Sequence, residues 1–192
     1  VHADLTISRV GSDSYRVVTG GADGNRDWVT LRNYRDDNGL NADINIRTHD
    51  IATLGLWGPK AVNALGNFID PNEIDIQNFP FVTAKNLTLN LSGGKKVDVW
   101  AARISYVGES GWEIYFNNNK DDGLALYDSL LEVGVVPVGI ETYANSRRLE
   151  KSFRLQGADL ETEYTAIEAA IQRPLVKEAD FHGKAAHLSH RE

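Results

Sequence analysis

Glu113 and Tyr106 are the residues of this 192-residue chain whose types and spacing could do chemistry together. The stretch Tyr106-Val-Gly-Glu-Ser-Gly-Trp-Glu113 sets two carboxylates and a phenol around two glycines. Residues 101–107 and 112–116 are strand-like runs, and Gly108-Glu-Ser-Gly111 supplies a turn, so the segment predicts a β-hairpin. A turn confined to those residues sets Val107 opposite Trp112 and Tyr106 opposite Glu113. Side chains alternate faces along a strand, so Ile104, Tyr106, Glu113 and Tyr115 share one surface. A carboxylate placed among such groups is costly unless a partner satisfies it. A planar heterocycle edge with two adjacent N–H donors would do so through a bidentate contact. Glu109 falls in the turn and reads as structural, and Gly108 and Gly111 read as positions needing unusual backbone angles.

Other residues carry less chemistry when taken alone. Asp4 reads as a polar residue on the outer face of a strand. Arg148 follows Arg147 in a helical run, where neighbours point about 100° apart. Its pattern alone is that of a solvated face with Glu150 and Lys151. Gly20-Gly21 lies between a strand and a helix but lacks both phosphate-cradling patterns, which argues against nucleotide binding. His182, His187 and His190 do not share one helical face, so no metal site is read from them. No serine–histidine–acid arrangement is visible.

The elements that must position these residues follow from periodicity. Residues 4–10 and 15–19 alternate as a hairpin around Gly11-Ser-Asp-Ser14, with Leu5 and Ile7 expected to face the core. A helix is predicted over 25–34, with Trp28, Leu31 and Arg32 near one stripe. Strands are predicted over 43–48, 51–57, 81–91, 97–107 and 135–140, with helices from Pro59 to about 67, over 121–133 and over 142–153. A short helix closes the chain. Two βα units within an antiparallel sheet suggest an α+β fold with ferredoxin-like layering.

Composition narrows the classes. A hydrophobic fraction of 42% reads as globular. No apolar run approaches the roughly 18 residues of a membrane span, and no secretory signal opens the chain. A net charge of −7 with dispersed basic residues argues against nucleic-acid binding. The absence of cysteine excludes disulfides and thiolate chemistry. The chain also lacks methionine and opens in a strand pattern, so it is expected to be part of a longer polypeptide.

The hairpin resembles the Tyr-x-Gly-Glu-x-Gly-x-Glu signature of the aminomethyltransferase family, which includes the glycine cleavage T-protein. The family also forms the folate-binding C-terminal part of dimethylglycine and sarcosine dehydrogenases. Asp4-Leu-Thr-Ile7, Arg148-Leu-Glu-Lys-Ser-Phe-Arg-Leu-Gln-Gly-Ala-Asp-Leu160 and Asp180-Phe-His-Gly-Lys184 are similar to three further family stretches, in the same order. Thr19-Gly-Gly-Ala22 and Ser105-Tyr-Val-Gly-Glu109 lean toward the flavin-linked branch.

The resemblance implies a partial folate-binding fold. Residues 1–48 and 141–192 would form part of a first subdomain and 49–140 a ferredoxin-like one, with the family's C-terminal barrel absent. It implies tetrahydrofolate as cofactor, with FAD confined to a missing N-terminal domain. Glu113 and Tyr106 would bind the pterin, Arg148 would support the pocket, and Asp4 would be the catalytic carboxylate, although T-proteins commonly carry two adjacent aspartates where this chain has Ala3-Asp4. The implied reaction transfers a one-carbon unit from an amine-derived donor, or from an aminomethyl-lipoyl carrier protein, to give 5,10-methylenetetrahydrofolate. A non-catalytic folate-binding module and an O- or S-demethylase domain are the alternatives. The expected location is cytoplasmic, or the mitochondrial matrix in a eukaryote, and neither nucleic acid nor membrane is an expected partner.

Overall fold

The computed structural model describes residues 1–171 and 176–191. The chain divides into two units, Val1–Ile44 with Arg154–Glu192, and Asn45–Phe153. The segment from Glu141 to Phe153 therefore belongs to the second unit.

In the first unit, β1 (Thr6–Arg9) pairs antiparallel with β2 (Tyr15–Val18). Arg9 pins the connecting turn through Nε to the Gly11 carbonyl at 3.1 Å and Nη2 to that of Ser12 at 2.6 Å. The facing departs from the expectation within the strand, while Leu5, just ahead of it, is half-buried as expected. Thr6 and Ser8 are half-buried, whereas Ile7 is 63% exposed. Helix α1 (Gly24–Asp37) also buries no apolar stripe; its buried residue is Asp27. That carboxylate is satisfied by the Thr19 hydroxyl and by Arg26 at 3.0 Å, which makes its burial tolerable. A short helix, α6 (Lys184–Ser189), lies near the end of the chain.

The second unit is built on an antiparallel sheet of β3 (Ile51–Trp57), β4 (Ala84–Asn90), β5 (Lys96–Ala102) and β6 (Gly111–Asn117), in the order β3-β6-β5-β4. Between β3 and β4 come α2 (Ala61–Leu65) and α3 (Pro71–Ile74). Proline suits the first turn of α3, and the Asp70 carboxylate caps it by accepting from the Asn72 N–H at 2.9 Å. Helix α4 (Lys120–Glu132) follows β6 and is capped by the Asn119 side chain, which accepts from the Asp122 N–H at 2.8 Å.

Alternation along the strands sends Leu56, Leu87, Leu89, Val97, Val99, Trp112, Ile114 and Phe116 to one face. Leu65 and Phe68, at and beyond α2, with Ile74 of α3, Phe79 and α4's Leu126 and Leu130, complete that core. Burying each such side chain contributes about 1.5–3 kcal/mol.

The α+β class holds, and its layering departs from the ferredoxin-like expectation. β4, β5 and β6 follow one another with only the short 3-10 turn Ser92–Gly94 between the first two, and every strand pairing in this sheet is antiparallel, whereas a split βαβ arrangement needs a parallel pair. Residues 43–48 form no strand. Nor do 135–140, where Pro137 offers no N–H to a ladder and Val136, Val138 and Ile140 are exposed. The helix expected over 142–153 is a π-helical segment, Thr142–Arg147, that runs into the short α5 (Arg148–Glu150).

Candidate functional site

The hairpin register differs from the expectation, and the difference builds the site. Strands β5 and β6 pair Ala102 with Glu113, and β5 ends there because the Ile104 N–H turns back to the Ala102 carbonyl at 3.0 Å. The tip is therefore the loop 103–110, held by the Ser105 hydroxyl accepting from the Glu109 N–H at 3.1 Å. Tyr106 lies in this loop and not opposite Glu113.

Across β6, Glu113 pairs with Gly55 of β3. The carboxylate thus rises from the sheet face opposite the core, between a glycine and an alanine. Neither neighbour carries a side chain long enough to cover it. Gly55 has a second consequence, since Trp57 follows two residues later on the same face. A Cβ at position 55 would come within 2.1 Å of the Trp57 ring, so the indole lies across the bare glycine. Trp57 Nε1 donates to the Ile104 carbonyl at 2.9 Å, tying this ring to the hairpin loop.

From Trp57 a row of rings runs past the carboxylate. Trp57 stacks on Tyr143 with centroids 5.2 Å apart and planes 22° apart. Tyr143 packs on Tyr106 at 5.4 Å, and Tyr106 stacks on Phe153 at 6.2 Å. On the other side, the Tyr115 hydroxyl donates to Glu113, and its ring meets Trp100 edge-on at 5.2 Å. Gly55→Ala is expected to push Trp57 off Tyr143 and to cost about 0.5–1.5 kcal/mol, the worth of an aromatic pair. A lowered urea midpoint with weakened near-UV circular dichroism checks this.

Burial raises the Glu113 carboxyl above its ordinary value, and the Tyr115 hydrogen bond works against that rise. Tyr143 is pushed up to about 12 by burial and by the nearby Glu113 and Tyr106. The sign of the pH effect follows for Glu113. Its contribution to stability is fully present below the ordinary glutamate value of 4.5 and is lost as pH rises through the higher folded value. Glu113→Gln is expected to flatten that part of the stability profile, measured as urea midpoints at rising pH.

Arg148 is in the same unit and only 5% exposed. Its Nε donates to the Ala144 carbonyl at 2.6 Å and Nη1 to that of Phe153 at 3.0 Å. These bonds fasten the π-helical segment carrying Tyr143 to the stretch carrying Phe153, so Arg148 is positioned to hold the aromatic row in place. Arg147 instead pairs with Glu109 at 3.1 Å and Glu150 at 2.9 Å. Asp4 belongs to the first unit, ahead of β1, and is exposed. Among the described residues no group of histidine, cysteine, aspartate or glutamate side chains could hold a metal ion. No described helix is long and apolar enough to cross a membrane.

Trp57 and Tyr143 were not legible as site residues. The glycine two positions before Trp57, on a strand, was the available signal. Tyr143 had none, because a π-helical turn breaks the 3.6-residue spacing by which helical neighbours are found.

Chemically, the arrangement offers a partly desolvated carboxylate that accepts hydrogen bonds, oriented by a phenol and flanked by flat apolar surface. That donor and acceptor set fits the edge of a planar heterocycle bearing adjacent N–H groups.

Comparison with known proteins agrees with the motifs. The chain is 32% identical to the mitochondrial dimethylglycine dehydrogenases of Homo sapiens and Rattus norvegicus over 192 residues, and 31% identical to that of Mus musculus over 195. Each alignment covers 97% of this chain and 21% of the relative, so the chain spans about a fifth of their length. Residues 1–178 match the GCVT N-terminal domain. The chain therefore belongs to the GCVT N-terminal domain family, the folate-dependent aminomethyltransferase group whose signature its hairpin carries.

Proposed function

We propose that this chain binds reduced folate through Glu113, as part of a protein that transfers a one-carbon unit from an amine-derived donor to tetrahydrofolate. The observation that carries the reading is the Glu113 carboxylate, half-buried between Gly55 and Ala102 and flanked by aromatic rings. A carboxylate so placed accepts the paired N–H donors of a pterin edge, and the bound ring in turn repays its desolvation. Tyr115 orients the carboxylate. Tyr106, with Tyr143 and Trp57, gives the flat wall that limits water around the ligand. Arg148 positions that wall from behind.

Bound tetrahydrofolate would supply the two nitrogens that take up the one-carbon unit, the donor's amine leaving as the second carbon–nitrogen bond closes, to give 5,10-methylenetetrahydrofolate. Asp4 is proposed as the catalytic carboxylate of the transfer. This role rests on the family motif. The identity to dimethylglycine dehydrogenases supports a methylated amino acid as the ultimate source of the unit.

Calorimetric titration of 5-formyltetrahydrofolate into the chain tests the reading. Saturable binding with one site per chain is expected, and the absence of any saturable heat would reject it.

A further inference from the structure

Arg103 sits one residue beyond Ala102, so it points to the opposite side of the sheet from Glu113 and lies over the Trp112 ring at 5.0 Å. It is only 6% exposed. Its Nη1 donates to two backbone carbonyls, Ile74 at 3.0 Å and Phe79 at 2.7 Å. Those bonds and the indole fix the guanidinium plane. Among the described residues, Nε and Nη2 carry no hydrogen bond and no carboxylate forms an ion pair with Arg103, yet neither nitrogen is sealed from solvent. Asp75 acts on Arg103 electrostatically without pairing with it, its carboxylate accepting instead from the N–H groups of Gln77 at 2.7 Å and Asn78 at 2.8 Å.

Nε and Nη2 are the two parallel donors on one edge of a guanidinium, the edge that matches a carboxylate in bidentate fashion. Arg103 lines a cleft of about 300 Å³ together with Ser105, Glu109 and the apolar side chains of Ile76, Phe81 and Phe153. Ile76 and Phe81 are 58% and 59% exposed there, an apolar rim above a buried cation. Glu109 on the wall is already paired with Arg147, and its charge disfavours a dianion more than a monoanion.

We propose that this cleft is a second binding site, for a monocarboxylate with an apolar body. The carboxylate takes the free edge of Arg103, and the body lies against Ile76, Phe81 and Phe153. The cleft shares Phe153 with the end of the aromatic row but does not include Glu113, and a carboxylate on Arg103 does not need folate.

Benzoate is a suitable probe, followed through the Arg103 Nε–H signal in two-dimensional NMR of the chain. A saturable shift is expected. Arg103→Lys keeps the charge and removes the paired donors, and should abolish saturable benzoate binding as read from the backbone amide signals of Ser110 and Gly111, which line the same cleft. Because that change also loosens the carbonyl clamp, Ile76→Glu provides a second variant on the exposed rim. It should leave the fold intact and weaken benzoate by at least about tenfold through like-charge repulsion. Glu113→Ala should bind benzoate as the parent chain does, and inorganic phosphate should shift the signal less than benzoate. The proposal is overturned by no saturable shift in the parent chain, by unchanged affinity in Ile76→Glu, by loss of benzoate binding in Glu113→Ala, or by a stronger response to phosphate.

Discussion

Glu113→Ala is expected to weaken 5-formyltetrahydrofolate binding by about ten- to a hundredfold while leaving the chain folded. Hydrogen bonds to a charged group contribute about 1.5–3 kcal/mol each net of water, and about 1.4 kcal/mol is a factor of ten. The ligand also loses more than the bond, because its paired N–H donors would stay desolvated and unmatched above Gly55 and Ala102. The fold should not suffer. Glu113 rises from the face opposite the Trp112 core, and its ionised form is held at a cost that burial imposes. Calorimetry of the variant, with a urea midpoint equal to or above that of the parent chain, would bear this out. Tyr115→Phe removes only the hydrogen bond that orients the carboxylate and should have a smaller effect on the same titration.

Gly111→Ala is expected to be the most damaging small substitution in the hairpin, on the order of 3 kcal/mol or more. Gly111 has φ of +149°, which side-chain-bearing residues rarely adopt. A Cβ there would lie 1.9 Å from the Leu56 carbonyl oxygen and 2.8 Å from the Trp57 Cα. Both obstacles are backbone, so no rotamer change relieves them. Relief requires parting β3 from β6 at the Trp57–Gly111 pair, next to the fully buried Trp112. Gly94 is the control. Its φ is +81° but nothing lies within 4 Å of its would-be Cβ, so Gly94→Asn, a residue that tolerates this region, should change little. Urea unfolding of the two variants against the parent chain measures the contrast.

Much of this was legible in the sequence where the pattern was local. The order of motifs identified the family, and period-two alternation in 51–57 and 112–116 gave β3 and β6 closely. What failed was long-range pairing. Glycine punctuation marked Gly108 to Gly111 as the turn, but Ile104 turning back on Ala102 ends β5 earlier. That slip moved the partner of Glu113 from Tyr106 to Ala102. Tyr106 still reaches the site, through Tyr143, by a route that no strand register encodes. Ile7 shows the same limit from the other side, since apolar alternation does not say which face of a two-stranded hairpin will be covered. Arg148 was legible as a motif residue and not as a buried one, because its helical neighbours are polar and its partners are backbone carbonyls.

The measurement that tests the central claim most directly is a crystal structure of this chain with 5-formyltetrahydrofolate bound. The expected result is a pterin edge within hydrogen-bonding distance of the Glu113 carboxylate, with its ring plane against the aromatic row of Trp57, Tyr143 and Tyr106. A pterin bound elsewhere in the chain, with Glu113 making no contact to it, would contradict the account.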